Sequence, residues 1–168
     1  GSALGEVEKI CSGEEDITVI QGARHILFQT GDIVLVCRRL EGGVLPYKSA
    51  IPRNNPIHVA CSARALLSSI ERVSLIISEK LKSPLRCVFG SGMVSITTKT
   101  AIGDAADQCP IDGDGQELEI GFNNKYLMDA LKAAPAEKLR LEFTSGVAPC
   151  VILPAEGEEN FIYMVLPV

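Results

Sequence analysis

One pattern recurs along the chain and constrains its fold more than any other feature. Residues 16–40, 84–111 and 138–168 each consist of three short apolar segments separated by turn residues. The first turns of these stretches are QGAR, GSG and TSG, in which glycine is expected to supply the positive φ of a tight turn. Each stretch is therefore predicted to form three consecutive strands, and their recurrence predicts a repeated structural unit.

A helical pattern precedes each of these strand triplets. Apolar residues recur at helical spacing in residues 3–11, 61–81 and 123–134. One further strand is predicted before each of the last two helices, at residues 57–61 and 117–122. The repeated unit is therefore β-α-β-β-β with a period of about 60 residues. It is present twice in full, and the first copy lacks its leading strand.

The two complete units predict an α+β domain of two layers, with helices on one side and sheet on the other. We place this domain at residues 52–168 and assign residues 1–51 to half of a similar domain and a linker. The linker segment, residues 40–56, contains three prolines and two glycines. Because half a domain exposes a sheet edge and part of a core, we expect the chain to be a fragment of a longer protein or to pair with itself.

Composition favours an aliphatic core and an intracellular protein. Hydrophobic residues make up 46% of the chain, and tryptophan is absent. No apolar run approaches the roughly 20 residues of a membrane helix, and no signal peptide is evident. The cysteines are Cys11, Cys37, Cys61, Cys87, Cys109 and Cys150. Their spacing matches no zinc or redox motif, so buried, reduced thiols and a cytoplasmic location are predicted.

No residues are arranged in a pattern typical of catalysis or of a cofactor site. His25 and His58 have no cysteine or serine at the spacing of a nucleophile and its base. The segment IDGDGQELE lacks the ligand order of a calcium loop and is predicted to be a hairpin turn. A glycine-rich phosphate loop is also missing from the sequence. We therefore predict no cofactor and no metal, and a small-molecule enzyme is the weakest hypothesis.

The predicted helices carry informative residues away from their core-facing stripes. On the second helix, Leu75 lies opposite the apolar stripe and Ile76 lies on its flank. This pair favours a partner surface, with packing at the helix end as the alternative. Arg64, Lys125 and Lys132 form a mildly basic strip, for which a solvated face is the alternative. The net charge of −5 disfavours extensive coverage by nucleic acid, although a surface that slides past phosphates needs no more than this strip.

The chain ends in FIYMVLPV, eight residues without a charge. A strand with one face in water should alternate apolar and polar side chains. Here Tyr163 and Val165 point to one side while Met164 and Leu166 point to the other. Both sides are apolar, so we expect something to cover both.

Several segments resemble the bacterial DNA sliding clamp, the beta subunit of DNA polymerase III. The likeness to its C-terminal third lies in EIGFNNKYLMDALKAA, LRLEFTSGVAPCVILP and the terminal YMVLPV. RRLEGGVLPYKSAIP resembles the linker between the second and third domains of that clamp, and ERVSLIISEKL resembles the first helix of its third domain. The resemblance covers the chain after its first two residues.

The resemblance implies a DNA-clamp fold and a scaffolding role without catalysis. Subunits of this family have three domains, each a pair of β-α-β-β-β units, and two subunits close head to tail into a ring around duplex DNA. By this likeness, residues 52–168 are the third domain and residues 1–51 are the second half of the second domain with its linker. Clamp-binding peptides of polymerases, the clamp loader and repair proteins dock in a pocket of the third domain.

The resemblance also implies three sets of site residues. The peptide pocket is formed by Pro46, Leu81, Asn123, Tyr126, Val147, Pro149, Met164, Val165, Leu166, Pro167 and Val168. The subunit interface is formed by Leu75, Ile76 and an edge strand from Ala105 to Ile111. The residues facing DNA are Arg64, Lys125 and Lys132. Family members continue past the last proline to an Arg-Leu pair, whereas this chain ends at Val168. By the resemblance, the other half of the pocket belongs to the part of the second domain that this chain lacks, so weakened peptide binding and no ring are expected. The alternative function is an α+β protein-interaction module unrelated to DNA.

Overall fold

The structure is a computed structural model that describes residues 2–11, 13, 16–43, 46–78, 83–113, 116–158 and 160–168. The chain divides into two compact units, Gly1–Leu45 and Pro46–Val168. Among the described residues, no helix is long and apolar enough to span a membrane.

The first unit is a helix followed by a three-stranded antiparallel sheet. Its elements are α1 (Ser2–Ile10), β1 (Thr18–Gln21), β2 (His25–Thr30) and β3 (Ile33–Arg38). The strands pair in the order β1-β2-β3, and Gly31 provides the positive φ of the turn between β2 and β3. Only Thr30 is buried among the described residues of this unit, and the apolar side chains of the unit are partly or largely exposed, Leu40 by 95%. This unit therefore exposes apolar surface that a partner could cover.

The second unit contains the two complete repeats. The first repeat consists of β4 (Ile57–Ser62), α3 (Ala63–Ser74), β5 (Leu85–Phe89), β6 (Met93–Thr100) and β7 (Gly103–Pro110). The second repeat consists of β9 (Leu118–Phe122), α4 (Asn124–Ala133), β10 (Lys138–Phe143), β11 (Cys150–Pro154) and β12 (Tyr163–Val165). A short helix, α2 (Tyr47–Ala50), precedes them, and a two-residue strand, β8 (Asp112–Gly113), lies between them. The predicted β-α-β-β-β order is thus found twice.

The two repeats are interleaved. One sheet has the strand order β12-β11-β10-β4-β8 and the other has the order β7-β6-β5-β9. The leading strand of each repeat therefore pairs with the first strand after the helix of the other repeat: β4 with β10, and β9 with β5. Neither repeat can complete its sheet alone, so the second unit folds as one domain.

The two sheets approach each other at their edges. At one edge, the chain leaves β7 and passes directly into β8 of the other sheet. At the other edge, Pro167 lies opposite Phe122 of β9, and the backbone N–H of Val168 donates to the carbonyl of Gly121 at 3.0 Å. The end of the chain is thereby fixed beside the start of α4.

Both long helices pack their apolar stripes against the sheets. Helix α3 buries Leu66, Ile70 and Val73, as its spacing predicts, and it contacts β4, β6, β7 and α4. The helix ends at Ser74, seven residues before the predicted end. The adjacent β-branched residues Ile76 and Ile77 are weak helix formers, and the chain must turn there to begin β5.

The six cysteines are unpaired and differ in burial, so the prediction of buried thiols is wrong for Cys11 and Cys37, which are half buried. Those of the second unit are buried: Cys61, Cys87, Cys109 and Cys150. Burial raises the pKa of Cys61 and of Cys87 to about 12, which lowers the thiolate fraction near neutral pH about a thousandfold.

We predict that thiol reagents will react at different rates with the half-buried and the buried cysteines. In the native protein, the half-buried Cys11 and Cys37 should react with a disulfide reagent such as DTNB, whereas the four core thiols should react only after denaturation. Mass spectrometry of an alkylated sample checks the assignment. Rapid modification of Cys87 in the folded protein would contradict the packing described above.

Candidate functional site

The last strand, β12, has one covered face and one open face. Val165 points inward and is buried in the core, and the Tyr163 hydroxyl donates to the carbonyl of Ala133 at 2.9 Å. Met164 and Leu166 point outward and are exposed, Leu166 by 62%. Within this chain, only the inward side of the strand is covered, and the outward side is open.

The outward side of β12 adjoins the loop after β10. Cys150 of β11 pairs with Val165, so the same antiparallel register places Pro149 opposite Leu166. In that loop, Val147 is 88% exposed. The register therefore brings Pro149 beside the terminal strand, and the exposed Val147 lies two residues before it in the same loop.

Gly146 allows this loop to lie against β9. A Cβ atom at Gly146 would clash with the carbonyl oxygen of Glu119. Glycine is needed here for close approach, and its φ is not positive. The prediction of a positive φ is therefore wrong at Gly146 and at Gly22, and right at Gly92, where φ is 77°.

Asn123 and Tyr126 begin α4 beside the end of the chain. The Oδ1 atom of Asn123 accepts hydrogen bonds from the backbone N–H of Lys125 at 3.0 Å and of Tyr126 at 3.4 Å. This N-cap fixes the first turn of the helix, from which Tyr126 projects with 64% of its surface exposed. The Nδ2 group of Asn123 donates no hydrogen bond to any described residue and remains available to a ligand.

We call the exposed apolar residues around β12 the docking face. They are Tyr126, Val147, Met164, Leu166 and Val168. An apolar surface of this kind, with an amide donor at its border, is suited to bind short apolar segments of another protein. Ile162 lies on the same side of the strand and is 50% exposed. The resemblance does not include Ile162 among the pocket residues, but the alternation of side chains along the tail places it beside Met164.

Two predicted pocket residues, Val165 and Pro46, lie outside the docking face, and a third cannot be placed. Val165 supports the docking face from the core and cannot line it, because its side chain points to the opposite side of β12. Pro46 lies immediately before α2, where its carbonyl accepts a hydrogen bond from the Ser49 hydroxyl at 2.7 Å. Leu81 is outside the described residues.

A cavity of about 510 Å³ lies between the end of α3 and the start of α4 and shares two residues with the predicted pocket. It is lined by Ile77, Ser78, Asn123, Asn124, Lys125, Tyr126 and Met128. The docking face therefore continues around Tyr126 toward the helices.

Comparison with known proteins assigns the family. Residues 48–168 match the family described as the DNA polymerase III beta subunit, C-terminal domain. The chain belongs to this family. The beta sliding clamp of Staphylococcus aureus is 30% identical over the whole chain, which spans 45% of that clamp. This chain thus covers less than half the length of the curated relatives that it matches.

Solved structures of sliding clamps have the same fold. The DNA polymerase III beta subunit of Thermotoga maritima is 27% identical, with a TM-score of 0.82 over 99% of this chain and 46% of its own. The sliding clamp of Bartonella birtlesii bound to griselimycin is 25% identical, with a TM-score of 0.87 over 99% of this chain and 45% of its own. The predicted α+β clamp fold and the resemblance are confirmed, and the unrelated interaction module is disfavoured.

The predicted subunit-interface residues of this clamp chain lie in different environments. Leu75 is 84% exposed just beyond α3, and Ile76 is half buried. Strand β7 is an edge strand, so its outer backbone groups can pair with another chain. Ala105 lies on this strand, whereas the Ile111 side chain is buried in the core and cannot reach a partner. The predicted pairing of the edge strand from Ala105 to Ile111 therefore stays a prediction, one that involves the backbone of β7 and not the Ile111 side chain.

Arg72 joins α3 to the edge strand. Its Nε donates to Asp107 of β7 at 2.6 Å, and its two terminal nitrogens donate to the hydroxyls of Ser68 at 2.7 Å and Ser69 at 3.0 Å. The backbone N–H of Gln108 and the Arg72 guanidinium hold the pKa of Asp107 below its usual value. This network fixes the edge strand against the helix that carries Leu75.

We predict a pH-dependent loss of stability when Arg72 is replaced by methionine. Because the folded pKa of Asp107 lies below the unfolded value, its contribution is present above the unfolded pKa and disappears as pH falls through the folded pKa. The Arg72→Met variant should lose about 0.5–1 kcal/mol at pH 7, and the difference from wild type should shrink below about pH 4. Urea denaturation at pH 7, 5 and 3.5 measures it.

Lys138→Met is the matched control for this experiment. Lys138 pairs with Glu156 at 2.8 Å, but both side chains are more than 60% exposed, so little change in stability is expected. A loss in Arg72→Met that is equal at all three pH values would contradict a role for the Asp107 carboxylate.

The predicted DNA-facing residues lie on the two long helices. Arg64 is exposed at the start of α3, and Lys125 and Lys132 are exposed on α4. The Nζ atom of Lys132 lies 3.0 Å from Glu71 on the neighbouring helix, so part of its charge is neutralised. The helix surface is therefore only weakly basic.

Proposed function

We propose that this chain is part of a replication processivity clamp and that its docking face binds short peptides of DNA polymerases, the clamp loader and repair proteins. The observation that carries the proposal is the open apolar side of β12 beside Tyr126. Leu166, Val147 and Val168 are each more than 60% exposed there, and the free Nδ2 group of Asn123 can bind a peptide carbonyl. The griselimycin complex of the Bartonella birtlesii clamp supports the proposal by showing that a relative binds a ligand.

The proposed role requires no catalysis by this chain. Among the described residues, no group of three or more histidine, cysteine or acidic side chains could hold a metal. In the described part of the chain, the buried polar side chains are those of Thr30, Asn55, Ser69 and Thr98. The proposal therefore rests on binding by the exposed apolar side chains of the docking face.

In the full-length protein, we propose that two subunits form a ring around duplex DNA. Leu75 and the edge strand β7 would meet the neighbouring subunit, and Arg64, Lys125 and Lys132 would face the DNA. Ring closure retains DNA by topology, so strong phosphate contacts would only slow sliding. The weakly basic helix surface, with Lys132 paired to Glu71, supports such a role.

Peptide titration tests the docking face directly. The probe is the blocked pentapeptide Gln-Leu-Ser-Leu-Phe, which offers apolar side chains and backbone groups. Burying two or three such side chains can give micromolar affinity, about −8 kcal/mol, and we expect weaker binding here because only the third-domain half of the site is predicted in this chain. In a ¹⁵N-labelled sample, amide signals of Asn123, Tyr126 and Met164 should shift.

Leu166→Asp should weaken this binding at least about tenfold, because the peptide would then have to cover a carboxylate. Ile102→Asp is the matched control, since Ile102 is 74% exposed in the turn after β6 and is not part of the docking face. Unchanged signals of Asn123, Tyr126 and Met164 at millimolar peptide would rule out the proposed site.

A further inference from the structure

The cavity beside the docking face combines apolar walls with one positive charge. Ile77, Met128 and the Tyr126 ring give it apolar walls, and Lys125 is the one charged residue among its described lining residues. Tyr126 belongs both to this cavity and to the docking face, so a peptide bound across β12 can extend into the cavity without a break.

Lys125, like Arg64 and Lys99, forms no ion pair with a described residue, and of these three only Lys125 lines the cavity. Lys132 pairs with Glu71, Lys138 with Glu156, and Arg86 with Glu119. Among the described residues, no carboxylate lies within salt-bridge distance of Lys125, although the chain carries a net charge of −5. Its ammonium group is therefore free to attract an anion from outside the chain.

Asn123 adds a second free donor to the same cavity. Its Oδ1 accepts from two backbone N–H groups of α4, at 3.0 Å and 3.4 Å. Its Nδ2 group has two hydrogens, so one can bind a peptide carbonyl while the other binds an acceptor in the cavity. Two unpaired donors, one of them positively charged, and a partly apolar wall together favour a carboxylate on a short aliphatic stem.

We propose that this cavity receives an acidic side chain that flanks the apolar anchors of the docked peptide, with Lys125 as its counter-ion. The inference rests on the proposed function, since it places the acidic residue on the same peptide that occupies the docking face. It also gives Lys125 a role besides facing DNA. Partner proteins that bind through this site should carry aspartate or glutamate next to their apolar anchors.

Four blocked peptides test the proposal with the full chain. Glutamate or glutamine is added at either end of Gln-Leu-Ser-Leu-Phe, and acetyl and amide groups remove the terminal charges. At one end, glutamate should bind about three- to fivefold more tightly than glutamine at low salt. This advantage should decrease in 0.5 M NaCl, because salt screens an exposed ion pair.

Charge reversal provides the decisive variant. With Lys125→Glu, the glutamate peptide should lose its advantage and a peptide with lysine at the same end should bind most tightly. Glutamate is favourable in the first turn of a helix, so this variant should fold, and Lys125→Gln provides a neutral second variant. Lys99→Gln is the charge-matched control on β6, away from the cavity, and it should keep the preference for glutamate.

The outcomes distinguish failure of the acidic-residue inference from failure of the proposed function. If all four peptides bind with equal Kd, or if Lys125→Glu leaves the preference unchanged, the acidic-residue inference is wrong while the docking face stands. If none of the peptides binds, the proposed function fails, and this inference fails with it.

Discussion

Replacing Phe143 with alanine should lower the free energy of unfolding of the second unit by about 3–5 kcal/mol. Phe143 is fully buried at the end of β10, where it pairs with Ile57 of β4. Its ring centroid lies 4.8 Å from that of Phe89, which belongs to the other sheet. Truncation would therefore remove an aromatic contact between the sheets and leave a cavity that the surrounding aliphatic core cannot easily close.

Urea denaturation followed by circular dichroism measures this effect. Tyr47→Ala is the matched control, because Tyr47 is 59% exposed in α2 and its truncation should change stability by no more than about 0.5 kcal/mol. If Phe143→Ala does not fold, Phe143→Leu should still fold with a smaller loss. A cost below about 1 kcal/mol for Phe143→Ala would show that this contact does not hold the sheets together.

The order of elements could be predicted from the sequence, whereas their pairing could not. The order of strands and helices in the repeat and the helical stripe of Leu66, Ile70 and Val73 follow from sequence patterns, and both are found in the structure. The predicted positive φ is found at Gly92 but not at Gly22 or Gly146. The sequence does not predict that the leading strands are exchanged between the two repeats. Both β4 and β9 have alternating buried residues, and this pattern is satisfied equally by pairing within a repeat or across repeats.

The candidate site shows the same division between local and long-range information. Asn123 is a recognisable helix N-cap, and the alternation of the tail indicates that Met164 and Leu166 share one side. Which side stays open depends on packing between distant elements. The resemblance alone therefore does not show that Val165 is buried while Met164 and Leu166 are exposed. Ile111 is a similar case, because its burial follows from the passage of the chain between two sheets.

The second large effect is expected at Gly146, where alanine should destabilise the second unit by about 1–3 kcal/mol. The added Cβ would clash with the carbonyl oxygen of Glu119, and a backbone atom cannot move aside as the end of a flexible side chain can. Relief requires the loop to move away from β9, and this movement would carry Val147 with it. The affinity for the Gln-Leu-Ser-Leu-Phe peptide should therefore fall together with stability.

Gly90→Ala is the matched control, because Gly90 occupies the corresponding turn of the first repeat. A Cβ atom there would lie 3.9 Å from its nearest neighbour, the carbonyl oxygen of Met93, which is ordinary contact. Gly90→Ala should therefore leave stability within about 0.5 kcal/mol of wild type and leave peptide affinity unchanged. Equal effects of the two substitutions would show that the loss comes from general stiffening of a turn, and that close approach to β9 does not hold Val147 in the docking face.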